Sequence, residues 1–481
     1  MRDCLQHYVD GRWIDSIGRN TLEIVDPVTE RVSGRVALGS MADVDVAVNA
    51  ARQAFPEYAA SSREERIAIL QRVAERFAAR KADMCDAVVA ELGCPRWLAE
   101  QAQVPLPGTH IDVAIEVLRE YAFETARGIT LVRKQPIGVC GLITPWNWPV
   151  SLVMTKVVPA LAVGCTMVLK PSEQAPYSAR ILAEIMDEAG VPPGVFNLVF
   201  GDGPTVGGAL SEHPHVDAIS ITGSTRAGID VARRAAETVK RVHQELGGKS
   251  PNVILDDADL DKAVGAGVRY IFLNSGQTCS VPSRMLVPRA RLQDVVRIAK
   301  ATADGLQVGA PDSGAFLGPV VNASQWQRVQ SLIEKGLEEG ATLVVGGPGK
   351  PEGLEQGYYV RPTIFSDVTS DMTVAREEIF GPVLAILPYD TEEDAIRIAN
   401  DTPYGLAAYV HSADLTRARR VGGRIQAGQI NINGDLDLLD PHAPFGGRKQ
   451  SGNGREWGAF GFDAFLEEIA YVGYRPPEQS Q

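Results

Sequence analysis

The sequence predicts an α/β protein of more than one domain. Three observations predict it. The chain has 481 residues, too many for one ordinary hydrophobic core. From residue 138 onward, short apolar runs alternate with helical patterns, the signature of parallel strands covered by helices. That alternation breaks at Gly247-Gly248 and then restarts.

The elements follow in order. The first 120 residues open with short strand-like pieces and then turn helical. Ser61-Ser62-Arg63-Glu64 reads as a capping box, followed by Ile67, Leu70, Ala74 and Phe77 at helical spacing. Gly93 and Pro95 stop the next helix. Val139 to Ile143 is an apolar strand. Pro145-Trp-Asn-Trp-Pro149 then turns into a helix ending near Gly164. Strands are expected at Thr166–Lys170, Phe196–Phe200 and Ala218–Thr222, with helices at Ser178–Ala189, Pro204–Glu212 and Arg226–Ala236. Lys240 to Leu246 is strand-like and leads into the glycine pair. Beyond it come strands at Val253–Leu255, Leu286–Pro288 and Thr342–Val345. Helices are expected at Leu260–Asn274, Leu292–Gly305, Gln325–Glu339 and Glu392–Asn400. Gly346 to Gly357 is a Gly/Pro-rich loop. Sheets of this kind bind ligands at the carboxyl ends of their strands.

Composition narrows the function. The chain is 45% hydrophobic and 22% charged, as soluble globular proteins are. Its formal net charge of −13 disfavours nucleic acid and anionic membrane as partners. Val150 to Leu169 is long enough to test as a membrane span, yet Lys156, Pro159 and Gly164 interrupt it, and it reads as buried soluble elements. The six cysteines form no C-x-x-C pair and no zinc-spaced cluster, so no metal is expected. The polar start, with no apolar signal core, points to reduced thiols in the cytoplasm.

Several segments can carry chemistry. Cys279 sits in Asn274-Ser-Gly-Gln-Thr-Cys-Ser280, a polar, glycine-containing turn after a helical run. A thiolate there would be a nucleophile for carbonyl carbon. A free cysteine taken alone is more often an inert buried residue. Glu245 sits beside Gly247 and Gly248 at the junction of the two α/β regions, where a carboxylate can serve as general base. A glutamate taken alone is more often simply solvated. Ile221-Thr-Gly-Ser-Thr-Arg-Ala-Gly228 follows a strand and opens a helix, so Gly223 and the helix N-terminus can receive a phosphate, or form a turn that binds nothing. Lys170-Pro-Ser-Glu173 ends a strand, and Glu173 can bond a ribose diol while repelling a 2′-phosphate, which favours NAD. Arg376-Glu-Glu-Ile-Phe-Gly-Pro382 and the glycine-dense Pro444 to Glu456 complete the set.

Together these segments resemble the aldehyde dehydrogenase superfamily, from about residue 7 to about 473. The motifs occur in the family order: Pro-Trp-Asn, Lys-Pro-Ser-Glu, Thr-Gly-Ser-Thr, Glu-Leu-Gly-Gly-Lys, Gly-Gln-Thr-Cys, Glu-Glu-Ile-Phe-Gly-Pro, and Pro-Phe-Gly-Gly with Ser-Gly-x-Gly-Arg-Glu. The resemblance implies a Rossmann-like NAD-binding domain (1–120 and 138–244, with 446–462 returning to it), an α/β catalytic domain (245–445) and a small β oligomerisation arm (121–137 and 463–481). The arm strand near Tyr121 to Gln135 should pair with one near Ala470 to Tyr474. A homo-oligomer is implied, a tetramer in preference to a dimer.

The resemblance also implies roles. Cys279 matches the nucleophile, Asn147 the side-chain donor of the oxyanion hole, and Glu245 the base that activates water. Lys156 and Glu456 match a pair that relays protons from that base. Cofactor contacts fall at Thr144, Trp146, Lys170, Glu173, Gly223, Ser224, Leu246, Glu378 and Phe380. Trp148, Leu152, Thr155, Leu273, Thr278, Asp437, Leu439 and Phe445 match the substrate tunnel, whose aromatics favour an apolar or aromatic aldehyde. The implied reaction is NAD-dependent oxidation of an aldehyde to an acid through a Cys279 thioester. A CoA-acylating semialdehyde dehydrogenase, a cysteine hydrolase using His243 or His442, and a non-catalytic binding protein on the same fold are the alternatives.

Overall fold

The computed structural model describes residues 2–434 and 439–474; the expected site residue Asp437 and the tail from Arg475 lie outside the described residues. The first sheet has seven strands, in the order Arg241–Glu245, Ala218–Thr222, Val139–Ile143, Thr166–Lys170, Phe196–Leu198, Gln6–Val9 and Arg12–Asp15. Its first five strands are parallel. Every residue of Val139–Ile143, Thr166–Lys170 and Ala218–Thr222 is buried, as strands covered on both faces must be. The last two strands form an antiparallel hairpin on the edge, so the sheet is mixed rather than wholly parallel. Asp10 and Gly11 turn the hairpin with φ of 52° and 72°, the backbone that Asp-Gly favours in two-residue turns.

The segment tested as a membrane span is a buried helix and strand. Pro149–Val163 starts with proline in its first turn and ends at Gly164, with φ 95°. Thr166–Lys170 then enters the sheet. Among the described residues no helix is long and apolar enough to cross a membrane.

The second sheet runs Thr342–Val345, Thr363–Ser366, Val383–Tyr389, Arg284–Pro288, Pro251–Ile254, Ala407–His411 and Gln429–Ile432. It is parallel except at the Thr342–Val345 edge. Thr363–Ser366, Val383–Tyr389, Ala407–His411 and Gln429–Ile432 were not expected. Three of them are almost wholly buried short runs, and such runs carry no period that separates strand from buried helix.

A third sheet joins Leu466–Val472, Thr130–Pro136 and Glu124–Arg127, all antiparallel. The pairing expected near Ala470 starts earlier, at Leu466 opposite Pro136. The capping box also shifts. Ser62, not Ser61, caps the helix Arg63–Ala79, and its partner is Glu65, not Glu64. Arg66, Ile69, Leu70, Val73 and Phe77 form the buried face of that helix. The helix expected over Pro204–Glu212 begins as a wider π turn, Gly203–Gly207, before the α segment Gly208–Glu212.

Candidate active site

The helix Leu260–Phe272 was expected to run to Asn274. It stops two residues earlier because Asn274, Ser275 and Gly276 all take left-handed backbone, with φ of 51°, 55° and 75°. Asn274 and Ser275 are strained there and need fixing by their surroundings. Ser275 Oγ donates to the Gly318 carbonyl at 2.8 Å, and the Val321 amide donates to Gln277 Oε1 at 2.9 Å. A Cβ on Gly276 would lie 2.0 Å from the Gly381 carbonyl oxygen, so only glycine fits. The turn delivers Cys279, the one cysteine of the six that is only partly buried.

Asn147, buried between strand and helix, is bound to the same turn. Its Nδ2 donates to the Gln277 carbonyl at 3.0 Å. Its own carbonyl accepts from Gln103 Nε2 at 3.0 Å and from Asn274 Nδ2 at 2.9 Å. Gln103 and Asn274 went unnoticed in the sequence, since no motif marks a residue that orients another through its backbone. The thiol of Cys279 is held well above its usual value, first by burial and then by the Glu378 and Glu245 carboxylates.

Glu245 ends the strand Arg241–Glu245 and is 2% exposed. Neither carboxylate oxygen makes a well-formed hydrogen bond among the described residues. Burial, and then the Glu456 charge, push its pKa well above the carboxylate range, while Lys156 and Arg455 oppose. Lys156, wholly buried in the helix Pro149–Val163, is ion-paired with buried Glu456 and donates to Ser220 Oγ at 3.2 Å. Glycines let these segments converge: a Cβ on Gly248 would lie 2.3 Å from the Cys279 carbonyl oxygen, and one on Gly247 2.2 Å from Glu378 Oε2. The Gly248 amide donates to Glu378 Oε1 at 2.9 Å, and burial raises the Glu378 pKa to about 7.

Thr144, Trp146, Lys170, Glu173, Gly223 and Ser224 line one cleft of about 1040 Å³ at the carboxyl ends of the first sheet's strands. Lys170 Nζ and Glu173 Oε2 pair at 3.2 Å. Ser224 Oγ caps the helix Thr225–Ala235 through the Ala227 amide, whose first turn faces the cleft. Leu246 packs against Gly228 of that helix. Phe380 meets Trp146 edge-on at 5.4 Å, which ties the Glu378 loop to the cleft. A long cleft with a helix N-terminus and an acidic strand end suits a dinucleotide.

Of the tunnel set, Trp148 Nε1 donates to Thr278 Oγ1 at 2.8 Å, beside Cys279. Phe445 stacks on Trp457 at 4.6 Å, and no sequence motif had singled out Trp457. Leu152 and Leu273 are half-buried and Thr155 is buried. Leu439 is 44% exposed. His243 is hydrogen-bonded to Ser220 and Arg455, and His442 lies 3.7 Å from Glu116.

The model of the aldehyde dehydrogenase family matches residues 13–470. The 3-succinoylsemialdehyde-pyridine dehydrogenase of a Pseudomonas species is 52% identical over 476 residues, covering 98% of this chain and 99% of that protein. Aldehyde dehydrogenase C of Pseudomonas syringae, crystallised as a mutant with NAD+ and octanal, aligns with TM-score 0.97 at 51% identity, over 99% of this chain and 98% of that one. The Mycobacterium tuberculosis aldehyde dehydrogenase in complex with NAD+ aligns with TM-score 0.95 at 38% identity, over 100% and 99%.

Proposed function

The chain belongs to the aldehyde dehydrogenase family of oxidoreductases, and from that premise we propose that it oxidises an apolar or aromatic aldehyde to the acid with NAD, through a thioester on Cys279. The observation that carries this reading is one convergence. Asn147 is bound to the strained turn two residues before Cys279, and the Gly-Gly turn that packs on Cys279 directly follows the buried carboxylate of Glu245.

In this reading Lys170 and Glu173 hold the adenosine ribose of the dinucleotide, Trp146 and Ser224 its pyrophosphate, and Glu378 and Phe380 its nicotinamide ribose and ring. NAD, when bound, supplies the hydride acceptor. The Cys279 thiol gives up its proton to solvent water, the resulting thiolate attacks the aldehyde carbon, and the carbonyl electron pair moves to oxygen. Asn147 Nδ2 and the Cys279 amide stabilise that oxyanion, the kind of interaction that is usually the largest single contribution to catalysis. Loss of hydride from the same carbon leaves the thioester. Glu245 then takes a proton from water, the hydroxyl oxygen bonds to carbon, the C–S bond breaks, and the acid leaves. The raised pKa of Glu245 makes it a stronger base than a solvated carboxylate.

The first sheet, with its returning C-terminal loop, is the NAD-binding domain in this reading. The second sheet is the catalytic domain and the third the oligomerisation arm of a homotetramer. Trp148 and the Phe445–Trp457 stack give the tunnel apolar walls. The relatives' names, one with octanal and one with a pyridine-bearing semialdehyde, agree with that class.

Two variants test the mechanism. Cys279→Ala is expected to abolish NADH formation and any covalent acyl adduct in the intact mass. Glu245→Gln is expected to keep a first burst of NADH, then lose at least about a hundredfold in steady rate as the thioester accumulates. NADH formation surviving in Cys279→Ala sinks the reading. A panel of medium-chain, aromatic and acidic aldehydes, each with NAD and NADP, checks substrate and cofactor.

A further inference from the structure

Both chain neighbours of Cys279 are tied to aromatic residues from far away in the sequence. Before it, Trp148 Nε1 donates to Thr278 Oγ1 at 2.8 Å. After it, Tyr409 Oη donates to the Ser280 carbonyl at 3.1 Å. The partners stand 130 residues upstream and 129 residues downstream. They also come from different sheets. Trp148 immediately precedes the helix Pro149–Val163, which links two strands of the first sheet. Tyr409 lies in the strand Ala407–His411 of the second.

The first of these bonds joins the two donors of the oxyanion hole. Asn147 immediately precedes Trp148, and the Cys279 amide shares a planar peptide with Thr278. One side-chain bond thus ties the residue after the first donor to the residue before the second. The Asn147 Nδ2 bond to the Gln277 carbonyl, at 3.0 Å, is a parallel tie one residue earlier. It uses one N–H of that amide and leaves the other for the oxyanion.

Tyr409 fixes the far side. It is buried and meets Tyr270 edge-on at 5.6 Å. Burial, and then Tyr270, hold its phenol well above the usual tyrosine pKa. It therefore keeps its proton and donates to the Ser280 carbonyl, which can only accept. The Cys279 carbonyl itself abuts Gly248, where a Cβ would lie 2.3 Å away. These three points lie before, on and after the nucleophile. Together they fix a segment that follows two strained residues, and strain of that kind persists only where the surroundings over-determine it.

We propose that Trp148 and Tyr409 are positioning residues that clamp Cys279 from the two sheets, the Trp148–Thr278 bond setting the spacing between the Asn147 and Cys279 donors. The clamp acts while the oxyanion forms, before the thioester exists. It rests on the thioester reading above. The Trp148 ring remains a tunnel wall, and the new role belongs to its N–H.

Thr278→Val and Trp148→Phe each delete one end of the first bond, and Tyr409→Phe deletes the second. With octanal and NAD, each should slow the first turnover of NADH about tenfold, since misplaced donors cost rate steeply. Thr278→Ser keeps the hydroxyl and should retain the wild-type rate. Thr278→Val should add no further loss in a Trp148→Phe background. Alkylation of Cys279 by iodoacetamide needs the thiolate but no oxyanion donor, so its rate should stay within about twofold in every variant. Wild-type first turnovers in Thr278→Val and Tyr409→Phe overturn the clamp. An additive loss in the double variant also overturns it, as does alkylation slowed as much as NADH formation, which would place the defect in the thiol itself. Should Trp148→Phe fail to fold, Thr278→Val against Thr278→Ser decides for the first bond. NADH formation that survives in Cys279→Ala would instead sink the thioester reading, and the clamp with it.

Discussion

Five of the six cysteines are buried, and Cys279 alone reaches the surface of the site. Its residue type was visible in the sequence, whereas its setting comes from neighbours more than a hundred residues away, such as Asn147 and Gly381. The same holds for Glu245, whose raised pKa depends on Glu456 and on burial. Histidines show the effect in another form. His110 is 6% exposed, its Nε2 has no hydrogen-bond partner among the described residues, and burial lowers its pKa to about 4. The unfolded chain binds a proton at His110 below about pH 6.5, and the folded protein binds it only near pH 4. Stability from this group is therefore full above about pH 6.5 and is lost as pH falls toward 4, by up to about 3 kcal/mol. His110→Phe should make the thermal midpoint fall less steeply between neutral pH and about pH 5. An unchanged slope would show that His110 titrates normally. His243, lowered in the same direction, should keep the remaining slope.

At the scale of elements, periodicity and caps were legible where an amphipathic helix faces water. The helix Arg63–Ala79 was expected, though its cap moved by one residue because Ser62 and Glu65 satisfy each other's backbone amides. Gly93, with φ 65°, closes the helix Lys81–Leu92 as expected. The turn Leu273–Gly276 was not legible. A helix continues through Asn and Ser unless tertiary contacts pull them left-handed, and the bonds to Gly318 and Asn147 do so here. Gly276→Ala tests that turn. The added methyl would clash with the Gly381 carbonyl in a backbone that alanine disfavours. A cost of at least about 2 kcal/mol in stability is expected. A displaced Cys279 should also slow NADH formation about a hundredfold. Wild-type activity with a wild-type melting point would show that the turn is not what positions the thiol.

Across the whole molecule, Ser451 joins the parts. Its Oγ donates to the Gly247 carbonyl at 2.6 Å and accepts from the Gly405 amide at 2.9 Å, and its carbonyl accepts from the Leu246 amide. The C-terminal loop therefore locks the turn between the two large sheets, with Glu245 on one side and Cys279 on the other. The third sheet stands apart. Its strand Leu466–Val472 presents exposed Ile469, Tyr471 and Val472, and its strand Glu124–Arg127 is exposed throughout. Exposed apolar strands of this kind are covered in stable proteins. The proposed tetramer covers them, so Tyr471→Asp with Val472→Asp should lower the mass measured by light scattering. A monomeric mass for the unmodified chain would remove the proposal. The sequence by itself determined the α/β class, the strand–helix alternation of the first sheet, and the motif order that the family match bore out. These lie in local pattern and in short strings of residues. Only the tertiary structure decided the docking of the N-terminal hairpin against Phe196–Leu198, four strands of the second sheet, the left-handed turn under Cys279 and the Lys156–Ser220–His243 row. Each depends on partners far away in the chain, and long-range packing and hydrogen bonding override local propensity there.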